Sequence, residues 1–166
     1  MMKIINESEM AYENWLEHRA AYSDEVVVLA SYLGVDLDEA EGCMDTGDYM
    51  CITDEDADSE AHDKIMESLW AFRPSYLAST TGLDIEVFEA MANNNKCEDN
   101  NDAIASLIKN TCGLDAFVYE AISFDGRGHF LAPYDHNEVH TLMLAVEKGP
   151  EGYVTVEKEF FIYRCN

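Results

Sequence analysis

Basic residues are scarce in this chain. Lysine and arginine number 10 against 34 aspartates and glutamates, which gives a formal net charge of −24 over 166 residues. Nucleic-acid phosphates are bound by clustered lysine and arginine, and anionic membrane surfaces attract the same residues. The sequence therefore predicts a protein that binds neither nucleic acid nor a membrane directly.

Long apolar runs are also lacking. No segment approaches the ~20 apolar residues of a membrane-spanning helix, and the start "MMKIINESEMAYENW" has neither the basic nor the apolar region of a signal peptide. The cysteines are odd in number and never form a CxxC pair, which predicts reduced thiols in a cytoplasmic protein. They are Cys43, Cys51, Cys97, Cys112 and Cys165.

There are, however, enough apolar residues to build a core. Hydrophobic residues make up 48% of the chain, so its acidity does not predict disorder. A chain of this length predicts one domain, residues 1–166.

Two kinds of periodicity divide that domain. Apolar residues recur at helical spacing through 1–125, beginning with a helix at Asn6–Tyr22. Residues 126–166 turn to β-branched and aromatic residues around a Gly149–Gly152 turn, which predicts paired strands. The expected fold class is α+β, with a mostly helical N-terminal two-thirds and a small C-terminal antiparallel sheet. The strand edge would allow two copies of the chain to form a homodimer.

Two segments resemble each other. Leu29–Asp38 reads "LASYLGVDLD" and Leu77–Glu86 reads "LASTTGLDIE". An alanine four residues before a glycine is typical of a helix-turn-helix, in which the alanine admits the second helix closely. A DNA reader carries basic and polar side chains on that second helix, whereas both second helices here begin with acids. We therefore predict two helix-turn-helix-like hairpins with a structural role.

The acidic excess is concentrated near the N-terminus. Residues 1–60 hold 17 acids and 2 bases, and the densest stretch is "DEDADSE". Asp54, Asp56 and Asp58 match the first three ligand positions of an EF-hand loop, but Ser59 replaces its glycine and Ile65 its final glutamate. Acids at the start of a helix complement the macrodipole, which explains two or three of the five.

The stretch "FDGRGHFLAPYDHNEVH" offers an alternative chemistry. Asp125, Arg127 and His129 would form an acid/base cluster, and His136 and His140 would be zinc-type ligands. No Walker, GxSxG, Rossmann or HExxH pattern accompanies them. We favour a structural turn with His129 in the core and an exposed loop or strand edge after it, and expect no catalytic residue, metal or cofactor.

Part of this stretch carries a resemblance. "DGRGHFLAPYD" followed by "FFIYRCN" resembles small uncharacterised phage-encoded proteins with a DGRGHFL-x2-YD stretch and an aromatic-rich IYR-x-N tail. The likeness covers Asp115–Asn166 apart from "HTLMLAVEKGPEGYVTVEK". It implies a viral origin and assigns no residue a role.

A folded and strongly acidic protein without a catalytic motif is expected to bind rather than to catalyse. Carboxylates on rigid helices can occupy the basic cleft of a nucleic-acid-binding protein. We interpret the chain as a phage-type inhibitor that mimics nucleic acid and blocks a basic host complex handling DNA or RNA, such as a restriction or CRISPR system. The expected partner-binding residues are Asp36, Asp38, Glu39, Glu41, Asp45, Asp48, Asp54, Glu55, Asp56, Asp58 and Glu60.

Two alternatives remain open at this point. One is a small metal-assisted or acid/base enzyme that uses the GRGH and DHNEVH residues. The other is an acidic adaptor or assembly protein, whose partner would not bind nucleic acid.

Overall fold

The computed structural model describes residues 20–93, 100–149 and 152–166. The predicted helix at Asn6–Tyr22 lies almost wholly outside this range, as does Cys97. The chain divides into two compact units. The first, here called the sheet unit, combines the chain up to Asp54 with Glu138–Asn166, and the second, the helical unit, comprises Glu55–Asn137.

The sheet unit packs two helices against three strands. Its elements are α1 (Asp24–Leu33), α2 (Leu37–Asp45), β1 (Tyr49–Ile52), β2 (Val139–Gly149) and β3 (Gly152–Arg164). The strands form an antiparallel sheet in the order β1-β3-β2. The predicted fold class, α+β with a small C-terminal antiparallel sheet, is confirmed, and β1 joins that sheet from the N-terminal part of the chain.

Alternation along β3 sets the core of the sheet unit. Phe160 and Ile162 lie in one buried cluster with Cys51 of β1, which pairs directly with Ile162. Leu29 of α1 and Ala40 of α2 belong to the same cluster and are fully buried. Side chains two residues apart on a strand point to the same face, so each strand supplies alternate residues to this core.

The helical unit begins in the first turn of α3. Its elements are α3 (Asp54–Glu67), a 3₁₀ turn (Leu69–Ala71), α4 (Pro74–Thr81), α5 (Ile85–Asn93), α6 (Asn101–Asn110), α7 (Leu114–Asp125) and α8 (Arg127–Leu131). Its core draws on six of these elements, with Ile65, Leu69, Leu77, Phe88, Ile104 and Phe117 among its buried members. Among the described residues, no helix combines the length and the apolarity needed to cross a membrane.

Both predicted hairpins are present, as α1–α2 and α4–α5. Gly34 and Gly82 end the first helices in the left-handed conformation, at φ 72° and 71°. Each glycine N–H donates at 2.9 Å to the carbonyl of the alanine four residues earlier, Ala30 or Ala78. The repeated sequence therefore encodes a repeated helix end. A left-handed residue closing a helix is most often glycine because it has no Cβ to clash.

A third glycine with a positive φ precedes a helix instead of ending one. Gly113, in "GLDAFV", has φ 89° and ψ 147° and is itself the residue that precedes α7. Asp115, for which the sequence predicts an N-cap, lies inside the first turn of α7 instead. That prediction is wrong because the chain is already helical from Leu114.

The division at residue 126 is less sharp than the sequence suggests. Gly126 ends α7 with φ 78°, and the predicted turn after it is the short helix α8. Gly128 and Leu131 are buried within α8. Five residues are too few to show helical periodicity, which is why the pattern suggested a turn. The prediction of one domain over 1–166 stays a prediction.

The end of α3 depends on a distant residue. The apolar spacing predicts one helix as far as Phe72, but α3 stops at Glu67. Asn101 of α6 accepts a hydrogen bond from Trp70 N–H at 3.2 Å and donates one to the Met66 carbonyl at 2.5 Å. A side chain more than thirty residues away thus provides the hydrogen bonds that the backbone lacks where the helix stops. The local sequence cannot reveal this contact.

We predict that Asn101→Ala lowers the free energy of unfolding by about 1–3 kcal/mol, because two half-buried backbone groups lose their partner. Denaturant unfolding measures this change. Asn110→Ala is the matched control, since its amide bonds only within its own helix and at the surface; it should change stability by less than ~0.5 kcal/mol. Equal losses in the two variants would contradict the bridging role.

A second prediction concerns the buried thiol of the sheet unit. Burial raises the pKa of Cys51 to about 12 from 9.0, so the folded chain keeps this proton where the unfolded chain loses it. Stability contributed by the neutral thiol is present below pH 9 and is lost as the pH rises toward 12. In native protein at neutral pH, Cys51 should react with a thiol reagent only when the chain opens.

The measurement compares wild type with Cys51→Ala in a stopped-flow thiol assay. The fast-reacting thiols should be equal in number in the two proteins, and only the slow phase should shrink in the variant. A variant that loses a fast-reacting thiol would show that Cys51 is accessible.

Candidate partner-binding surface

Helix α2 presents acids to solvent, and two of them have structural tasks. Asp36 precedes the helix, and its carboxylate accepts a hydrogen bond from Glu39 N–H at 2.9 Å, which satisfies the helix start. Asp38 accepts a hydrogen bond from the Tyr22 hydroxyl, and this bond raises the pKa of Tyr22 to about 12. Both carboxylates are thus fixed by neighbours within the sheet unit.

Asp48 is half-buried and holds the C-terminus in place. Its carboxylate accepts hydrogen bonds from the Thr46 hydroxyl at 2.9 Å and the Asn166 amide at 3.3 Å. Its backbone carbonyl accepts one from Cys165 N–H at 2.8 Å. Asp48 is therefore an anchor for the end of the chain, and its part in binding stays a prediction.

The acidic start of α3 contains one ion pair. Asp58 lies 3.0 Å from a guanidinium nitrogen of Arg127, and the arginine side chain is only 11% exposed whereas Asp58 is 65% exposed. Below these acids, Ala57 and Ala61 are fully buried. The run of acids is therefore the outer face of a helix whose inner face is small and apolar.

Five of the predicted acids are exposed and differ from those above in their contacts. Their carboxylates make no hydrogen bond or ion pair with another residue of the described chain: Glu39, Glu41 and Asp45 on α2, and Glu55 and Glu60 on α3. Asp54 and Asp56 are exposed as well. We call the five residues the unpaired acids.

Charge is shared almost evenly between the two units. The sheet unit has 18 acids and 5 bases, and the helical unit has 16 acids and 5 bases. The concentration of acids in residues 1–60 is therefore a feature of sequence order. It does not mark one unit as the acidic one, because residues 138–166 add strands with few acids to the first unit.

The residues of the enzymatic alternative are only partly brought together. His129 is exposed, so the prediction of a core histidine is wrong; its ring stacks on that of His136 at 5.2 Å. His136 lies in a loop with a left-handed φ of 57°. Arg127 is engaged by Asp58, and Asp125 is an exposed residue at the end of α7.

His140 belongs to the sheet unit. It lies on β2, where its ring stacks on Phe161 at 5.0 Å and its Nε2 is 3.7 Å from a Glu159 oxygen. Within the described ranges, no group of three His, Cys, Asp or Glu side chains is arranged to hold a metal ion. The histidine pair 129 and 136 is thus the part of this alternative with structural support.

The segments that resemble phage-encoded proteins contain both buried and exposed residues. In "FFIYRCN", the four residues Phe160–Tyr163 are all buried, and the Tyr163 hydroxyl donates to Glu138 at 2.5 Å. In "DGRGHFL", Gly128 and Leu131 are buried. Packing in the core accounts for these buried residues.

Sequence reasoning missed one surface feature, on α7. Tyr119 and Phe124 are 75% and 78% exposed, and neither is among the residues that the sequence predicts to bind a partner. Phe117 and Val118 fill the core from the same helix. The useful signal would have been an excess of apolar residues over what one helix face can bury.

Comparison of the chain with models of protein families, with curated proteins and with solved structures gives no match.

A third prediction separates structural acids from free ones. Asp58→Ala should lower the free energy of unfolding by about 1–2 kcal/mol, because a mostly buried guanidinium loses a carboxylate. Glu60→Ala, on the same helix, should change it by less than ~0.5 kcal/mol. Denaturant unfolding of both variants decides the matter, and similar values would mean that the Arg127 pair does not stabilise the fold.

Proposed function

We propose that this protein is an inhibitor that mimics nucleic acid and occupies the phosphate-binding cleft of a basic protein or complex. The observation that carries the proposal is the set of unpaired acids. Their carboxylates lie on two helices, are exposed to solvent and make no hydrogen bond or ion pair within the described part of the chain. Carboxylates kept in this state add to the self-repulsion of a chain with a net charge of −24, which favours a role in binding.

The spacing of these acids suits a phosphate-binding cleft. Residues four apart on a helix, such as Glu41 and Asp45, are separated by ~6 Å along its axis. Successive phosphates of one DNA strand are separated by ~3.4 Å along the duplex axis, so one helical turn spans about two phosphates. Affinity for a phosphate backbone is largely independent of sequence, and a mimic therefore needs charge density more than base edges.

The resemblance to phage-encoded proteins supports a class of target. A phage protein with this surface would act in the host cytoplasm against a nucleic-acid-handling complex, and a restriction or CRISPR-type defence system is such a complex. The target in this proposal is a protein with a basic cleft, and no catalysis is assigned to the chain. The acidic adaptor is the competing proposal, and it differs in that its partner has no phosphate-binding cleft.

The decisive experiment begins with the partner and then measures association. Tagged protein captures its partner from host lysate, and duplex DNA or heparin is added in excess to displace it. A nucleic-acid-binding protein released by the polyanion supports mimicry. A partner that stays bound in the presence of either competitor supports the adaptor proposal instead.

The fourth prediction uses the purified partner. Glu41→Lys/Asp45→Lys and Glu55→Lys/Glu60→Lys should each lower the association rate about tenfold at low salt and flatten its salt dependence, because these acids steer the encounter. The matched control is Glu86→Lys/Glu89→Lys on α5, which changes the net charge equally at exposed positions. Circular dichroism checks that each variant is folded.

Comparison with the Glu86→Lys/Glu89→Lys control shows which results would contradict the proposal. If all three variants slow association by the same factor, only the overall charge of the protein matters and the unpaired acids are not the interface. If none slows it, the electrostatic proposal is wrong.

A further inference from the structure

Helix α7 has an outer face that the fold does not use. Its buried arc is formed by Phe117, Val118 and Ala121. At 100° per residue, the exposed positions fall together on the opposite arc; they are Asp115, Ala116, Tyr119, Glu120, Ser123 and Phe124. We call these six residues the α7 face.

Two aromatic rings dominate the α7 face. Tyr119 and Phe124 are the most exposed of the large hydrophobic side chains in the part of the chain that the structure describes. Ala116, Glu120 and Ser123 lie between them in the helical projection. Phe124 also contacts Tyr76, with ring centroids 6.2 Å apart. Exposed aromatics beside small residues are typical of the anchor positions of protein interfaces.

The charged residues of α7 itself have one sign. Asp115 and Glu120 lie on the α7 face, Asp125 follows Phe124, and α7 itself contains no lysine or arginine. The last turn of α7 has no basic residue to complement the negative end of the helix dipole. Ring faces, carboxylates and a helix C-terminus all attract cations.

We propose that the α7 face is a docking surface for an arginine-bearing surface of the protein partner. A guanidinium stacks on the ring of Phe124 or Tyr119 and pairs with Glu120. Arginine fits better than lysine because its planar group stacks on rings and forms two parallel hydrogen bonds to a carboxylate. The class of partner rests on the proposed function, whereas the α7 face shares no residue with the unpaired acids.

Other occupants fit the charge less well. A second copy of the chain would bring the same acids against Asp115 and Glu120, and an anionic membrane would be repelled by them. A basic protein surface is attracted to the carboxylates and at the same time covers the rings. The α7 face thus supplies short-range contact, and the unpaired acids supply long-range attraction.

The fifth prediction is tested on the intact protein with defined probes. An oligoarginine, an oligolysine and a neutral glycine–serine peptide are titrated in turn while amide NMR shifts are recorded. We expect oligoarginine to shift the α7 amides more strongly than oligolysine does, and the neutral peptide to shift none of them. Shifts confined to α2 and α3, or equal shifts with the neutral peptide, would overturn the proposal.

Substitution then separates the two surfaces by kinetics. Tyr119→Ser/Phe124→Ser leaves the net charge unchanged, so with the captured partner it should leave the association rate unchanged and raise the dissociation rate about five- to tenfold. Phe124→Leu keeps the apolar bulk but removes the ring face, and should raise the dissociation rate by a smaller factor. Leu142→Ser/Leu144→Ser is the matched control, because it removes two exposed apolar side chains from β2; its dissociation rate should equal that of wild type.

The outcomes distinguish the two proposals. Slow association in the acid-reversal variants together with unchanged dissociation in Tyr119→Ser/Phe124→Ser would sustain nucleic-acid mimicry and overturn docking on α7. Faster dissociation with no effect of the acid reversals would sustain the α7 face and remove the unpaired acids from the interface. An equal effect of the β2 control would mean that any loss of apolar surface weakens binding, which also overturns the specific role of α7.

Discussion

Repulsion among like charges is the constraint on which this structure depends. The chain carries 34 acids and only 10 bases, so folding brings carboxylates together that the unfolded chain keeps apart. The two buried clusters oppose this repulsion, one around Leu29, Phe160 and Ile162 and one around Ile65, Phe88 and Phe117. Each acid therefore either contributes to the fold through a contact or adds to the repulsion that those clusters offset.

The acids divide into two groups on this basis. Asp36 satisfies a helix start, Asp48 holds the C-terminus and Asp58 pairs with the largely buried Arg127. Glu41, Asp45 and the other unpaired acids, which lie on α2 and α3, make no such contact with the residues that the structure describes. Their position on the outer faces of α2 and α3 follows from the cost of burying a carboxylate. It also leaves them accessible to a partner.

Local signals predicted most of the fold because they act within a few residues. Gly34 and Gly82 end helices through hydrogen bonds to residues four positions away, and the alternation in β3 follows directly from strand geometry. Tertiary contacts decided the rest. The break after Glu67 depends on Asn101, and the partner of Arg127 is Asp58 on another helix. For the candidate surface, the sequence supplied the acids, but which of them are occupied by the fold was visible only from their contacts.

The α7 face offers apolar contact, which charged residues alone do not provide. Electrostatic attraction in water is screened over about 8–10 Å at physiological salt, so a mimic that relied only on carboxylates would dissociate readily as ionic strength rises. Exposed rings lose less of their contribution to binding when salt is added, because the burial of apolar surface does not depend on charge. This protein has carboxylates on α2 and α3, and it has Tyr119 and Phe124 on α7. It can therefore combine electrostatic attraction with the burial of apolar surface. If the proposed binding uses both sets of residues, it should keep a salt-resistant component after the acids are reversed.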